Sequence, residues 1–165
     1  MRVQDWKHRL TVLRAWQSWC DIKTMPNFPA SRATYCAVLD GCAITVRALC
    51  QELGVGANFK GWATKLRAHA GKRILAMMEC CQDTGGKVAG LDDERRRCFL
   101  EVLYLANRAV AHPQDGDLDH AVDRHEMTSA INTLLQWLDK ERPAGLPCDC
   151  PDLLQPIPEP QDFTT

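Results

Sequence analysis

Arg108 and His112, with Asn107 beside them, are residues whose types and spacing could do chemistry together. Histidine titrates near neutral pH and serves as a general acid or base. Arginine offers a fixed cationic fork to a phosphate. The pair is a minimal kit for attacking a phosphodiester without metal. In RNA, His112 would activate the 2′-hydroxyl, Arg108 would stabilise charge on the phosphoryl oxygens, and Asn107 would orient the substrate or the histidine. On a helix, Glu101, Tyr104, Arg108 and His112 fall along one line, which makes Glu101 and Tyr104 supporting positions. A polar line on an apolar helix is costly unless something satisfies it. The competing reading is structural. A protonated histidine at a helix C-terminus interacts well with the helix dipole, Arg108 can pair with Glu101, and Asn107 can satisfy backbone groups in the turn.

The helix that must carry this line is the most apolar in the chain: residues 98–111 read CFLEVLYLANRAVA. Pro113 disfavours helical geometry at His112 and ends it, while Asp92, Asp93 and Glu94 favour its start through the helix dipole. A first helix is expected over about residues 3–20, where Trp6, Leu10, Leu13, Trp16 and Cys20 recur at helical spacing. Ser31 suits the N-cap of a second helix and Gly54 its C-terminal cap, with Val38, Leu39, Cys42, Val46, Leu49 and Leu53 on one stripe. A third helical segment is expected from near Asn58 to about Cys81, divided by Gly71 into two shorter pieces. A fifth helix is expected over about 119–141. The short link PQDGDL makes it an antiparallel neighbour of the helix before it. Strand signals are weak. The expected fold class is therefore all-α, an up-and-down bundle of about five helices in residues 1–142. Residues 143–165 hold Pro143, Pro147, Pro151, Pro156, Pro158 and Pro160, and read as an extended or disordered tail outside the core.

The 165 residues suffice for one domain with a proper core. No apolar run approaches the roughly 20 residues that span a bilayer, and the charged N-terminus MRVQDWKHRL lacks a signal-peptide core, so a soluble, cytoplasmic protein without membrane contact is expected. A net charge of −1 excludes a protein built to coat nucleic acid non-specifically. It leaves room for a local patch. Between Glu52 and Glu79 there is no acid, and Lys65, Arg67, Lys72 and Arg73 are the candidates for a phosphate or RNA landing site, against the alternative of a solvated helix face.

Nine cysteines raise the question of metal, but there is no C-x2-C pair, and several lie among apolar residues at helical positions, as reduced thiols do. His120 and His125 are five residues apart, about 140° around a helix axis, and share no face. No H-E-x-x-H occurs. Gly85-Gly86-Lys87 lacks the rest of a phosphate-binding loop. The expectation is no metal and no cofactor.

A helical bundle whose late helix ends in Asn107-Arg108-Ala109-Val110-Ala111-His112, followed by a turn and a last helix, resembles the HEPN superfamily (higher eukaryotes and prokaryotes nucleotide-binding domains). The second helix, with LDGCAITVRALCQELG, is similar to the early long helix of such domains. The resemblance covers about residues 3–141. It implies a metal-independent endoribonuclease of the toxin–antitoxin or phage-defence kind, or a degenerate relative that binds without cutting. It also implies a homodimer with two motifs facing one cleft, an RNA substrate, and an antitoxin-like protein partner. The chain departs from the family pattern at one point. Only three residues separate Arg108 from His112, so that, aligned on His112, Asn107 stands where the family has its arginine. A non-catalytic, dimeric helical interaction module is the alternative from a different class. It would recruit a partner through the tail or the basic segment 60–73.

Overall fold

The computed structural model describes residues 1–21, 30–107, 122–146 and 151–159. In chain order the elements are α1 (Val3–Asp21), α2 (Ala30–Glu52), β1 (Val55–Ala57), α3 (Trp62–Ala68), α4 (Arg73–Cys80), β2 (Cys81–Asp83), α5 (Asp93–Leu105) and α6 (Arg124–Glu141), then a 3-10 turn over Pro151–Leu154. The protein is mostly helical, and no helix among the described residues is long and apolar enough to cross a membrane.

The helices form where apolar spacing allows a buried face. On α1, Trp6, Leu10, Leu13 and Trp16 are buried; on α2, Leu39, Cys42, Val46, Leu49 and Cys50 are buried, as is Leu53 just beyond its end. These join the core built around α5 and α6. α5 begins at its N-cap Asp92, whose side chain accepts from the Arg95 backbone N–H (2.9 Å). From Cys98 to Asn107 every residue of this segment is buried, as its composition requires, and its last turn widens into π geometry at Ala106 and Asn107.

The structure departs from the sequence reading in four places. The segment expected to be helical up to about Cys81 ends at Cys80, within that expectation, but Cys81 opens a strand where strand signals were weak. β1 and β2 pair antiparallel, with Val55 opposite Asp83 and Ala57 opposite Cys81. Strands of three residues carry no readable periodicity. Ala70 and Gly71, both left-handed (φ 53° and 78°), make the break between α3 and α4 that Gly71 suggested.

The last long helix starts at Arg124 rather than near 119, because Asp123 forms a capping box with Glu126. It also does not run back from the end of α5. His125 and Glu126 meet Glu94 and Arg97, in the first turns of α5, and Trp137 meets Phe99 edge-on. α6 thus crosses the N-terminal half of α5. The six-residue link that implied the antiparallel geometry lies outside the described residues.

The Pro-rich segment is the fourth departure. Leu154 and Ile157, expected outside the core, are buried in it. Asn132 of α6 holds Ile157 at two points, donating to its carbonyl (2.8 Å) and accepting from its N–H (2.6 Å). An extended segment without regular structure can still bury alternate apolar side chains when a side-chain amide satisfies its backbone.

Candidate functional site

Arg108 and His112 lie outside the described residues, as do His120 and the 113–118 link. The other members of the polar line are described, and each finds a partner within the fold. Glu101 is 7% exposed and is gripped by Arg73 at two points, Nε to Oε1 at 2.7 Å and Nη2 to Oε2 at 2.9 Å. This is the bidentate fork geometry that suits guanidinium and carboxylate. The same guanidinium lies over the rings of Tyr104 (4.7 Å) and Trp62 (5.4 Å). Phe59 completes the cage, meeting Tyr104 edge-on at 4.9 Å. Asn107, buried, donates from Nδ2 to the Leu103 carbonyl (3.0 Å), one turn back.

Arg73 was expected among the phosphate-binding cations. It sits instead as the tie between α4 and α5, with a one-third exposed side chain. Lys65 is also engaged: its ammonium donates to the Glu79 carbonyl (3.1 Å) and faces that residue's carboxylate, which His69 also contacts at 2.8 Å. Arg67 and Lys72 remain exposed on α3 and at the start of α4. The four candidate cations therefore divide into two that tie the fold together and two on the surface.

Burial raises the Cys50 thiol well above its ordinary range, and raises that of Cys81 to about 11. Neither is an activated nucleophile. A groove of about 380 Å³ runs between α1 and α2, past Asp5, His8, Arg9, Ile44 and Thr45, and is lined by none of the described candidate residues.

A second constellation was not legible in the sequence. Glu94 and Cys98 are one turn apart on α5, and His125 is in the first turn of α6. One ligand-capable atom from each lies within 4.8 Å of the other two. His125 Nε2 is 3.3 Å from Glu94 Oε1, and its Nδ1 is 3.2 Å from Glu159 Oε2. Cys98 is fully buried, which raises its thiol pKa, while the neighbouring Arg97 works in the opposite direction. The only sequence signal was the spacing of Glu94 and Cys98 on one helical face. Its third member arrives through a helix crossing that no local pattern encodes.

Comparison of the chain with protein-family models, curated proteins and solved structures gave no match.

Proposed function

We propose that the chain is an RNA-directed helical protein of the HEPN type, with His112 as acid/base, Arg108 as phosphate stabiliser and Asn107 as orienting group. The observation that supports this reading is the way α5 is packed and tied. It is buried throughout its second half, and the Arg73–Glu101 fork and the Asn107–Leu103 bond fix its last described turns. A helix held in this way is a firm base for the Arg108 and His112 that follow it in the chain. Arg67 and Lys72, exposed on α3 and at the start of α4, would supply phosphate contacts, and a homodimer would bring two such motifs to one cleft.

RNA cleavage in EDTA by wild type, Arg108→Ala and His112→Ala tests it. Loss of cleavage in both folded variants supports a metal-independent ribonuclease. No cleavage of a broad RNA pool, with binding that weakens in Arg67→Ala and Lys72→Ala, supports a degenerate RNA binder.

One observation favours a second reading, a non-catalytic interaction module with an antitoxin-like or other protein partner. Glu101, Tyr104 and Asn107 all have partners inside the protein's own fold. Absence of both cleavage and RNA binding selects it.

A further inference from the structure

We propose that Glu94, Cys98 and His125 bind one divalent transition-metal ion of zinc's chemistry, with Glu159 as the outer carboxylate that orients His125. The donor set is a thiol sulfur, an imidazole nitrogen and a carboxylate oxygen, each of them a zinc ligand at about 2.0–2.3 Å. Around a tetrahedral ion, ligand atoms at those bond lengths stand about 3.5 Å apart. His125 Nε2 and Glu94 Oε1 are already 3.3 Å apart, and all three ligand atoms fall within 4.8 Å. Closure needs side-chain movements of about an ångström, and Glu94 and His125 are both exposed enough to make them.

The backbone positions are firm. Glu94 and Cys98 share a face of α5, and the Asp123–Glu126 capping box fixes the turn that presents His125. The arrangement of the imidazole points to a metal more than the distances do. Nε2 faces Glu94, with Cys98 in the same cluster, while Nδ1 faces a second carboxylate, Glu159, as in a carboxylate–histidine–metal relay. A neutral imidazole has a single N–H and serves one of its two carboxylates. With that proton on Nδ1 toward Glu159, Nε2 presents a lone pair to the space shared with Glu94 and Cys98.

Arg97 is the neighbouring cation, with Nη2 3.5 Å from Glu94 and 3.7 Å from the Cys98 sulfur. Its Nη1 is held by Glu126, so it keeps a partner when the ion takes Glu94. Binding releases the Cys98 thiol proton to solvent, and the thiolate and the Glu94 carboxylate then match the ion's two charges. Three protein ligands leave a fourth position for water on the exposed side. The ion would join α5, α6 and the 151–159 segment. No residue of this site belongs to the RNA-directed reading, so the two stand or fall separately.

Cobalt(II) added to the full, reduced, metal-stripped chain reports the site directly. The expected result is a thiolate-to-cobalt charge-transfer band with tetrahedral d–d bands, saturating at one equivalent and displaced by zinc. Cys98→Ala abolishes the band, whereas Cys36→Ala, at an exposed cysteine, retains it. His125→Ala, at an exposed position that does not threaten folding, weakens cobalt binding by at least about 100-fold, and Glu159→Gln by about 10–100-fold with the band intact. Absence of a thiolate band in the wild type overturns the proposal. So does a band that survives Cys98→Ala, or cobalt affinity unchanged by His125→Ala.

Discussion

Arg73 and Glu101 meet in a two-point ion pair between α4 and α5, under the faces of Trp62 and Tyr104. The two partners are unequal: Glu101 is nearly sealed, whereas Arg73 keeps a third of its side chain in solvent. Removing the arginine takes two charge-assisted bonds from a nearly buried carboxylate; removing the glutamate leaves a guanidinium that already reaches water. Arg73→Ala is therefore expected to cost about 3 kcal/mol and Glu101→Ala about 1–2 kcal/mol, less than for a fully buried pair. The paired replacement Arg73→Met with Glu101→Leu should recover most of the loss. Urea unfolding midpoints check all three, and equal losses for the two single variants would refute the asymmetry.

Alkali should destabilise the protein through Cys50 and Cys81. Burial is the first cause of both raised values. The folded chain keeps these thiols protonated in a range where the unfolded chain releases them. Their contribution to stability is complete below the ordinary thiol value of 9.0 and is lost as pH rises toward about 11, the folded value of Cys81. Unfolding midpoints measured from pH 8 to 11 should fall, and Cys81→Ser should flatten part of that fall. In the same experiment, a thiol reagent at neutral pH should label the exposed Cys36 well before Cys50.

The helical class and the buried stripes were legible in the sequence because apolar spacing over long segments decides them. Trp6, Leu10, Leu13 and Trp16 all point inward as that spacing required. Glu101 and Tyr104 were legible as polar positions one turn apart on α5, but the residue they face was not. Arg73 lies 28 residues from Glu101, and sequence shows a charged residue without showing what it faces. The β1–β2 pair was too short to leave a pattern. The crossing of α6 over α5 was hidden for another reason: its start depends on one side chain, Asp123, whose capping box with Glu126 apolar spacing does not reveal. That same crossing assembles Glu94, Cys98 and His125, so the cluster was hidden with it.

Proline content predicted a segment outside the core, and Ile157 tests how far that prediction fails. Ile157 is 2% exposed and its backbone is bound at both ends by Asn132. Ile157→Ala should cost about 2–4 kcal/mol, the range for a well-buried aliphatic side chain. Asn132→Ala leaves the backbone N–H and carbonyl of Ile157 without these partners and should cost about 1–3 kcal/mol. Thermal melts of both variants decide it. Two unchanged melting temperatures would mean that the 151–159 segment contributes nothing to the stability of the bundle.

Glu126 should matter more than the cap residue it serves. Asp123 accepts from the Glu126 N–H at 2.8 Å, and Glu126 returns the bond to the Asp123 N–H at 3.1 Å. The loss of an N-cap side chain costs about 1 kcal/mol, which sets the expectation for Asp123→Ala. Glu126 also holds Arg97 across the α5–α6 crossing, and it is itself buried. Glu126→Ala removes half of the capping box and one side of that ion pair, so about 2 kcal/mol is expected; partial exposure of Arg97 keeps it below the buried-pair range. A double-mutant cycle with Arg97→Ala separates the two contributions, with a coupling of about 1 kcal/mol expected. A coupling near zero would assign the whole effect to the cap, and the crossing would then be held by the His125–Glu94 contact, Phe99, Trp137 and the apolar contacts.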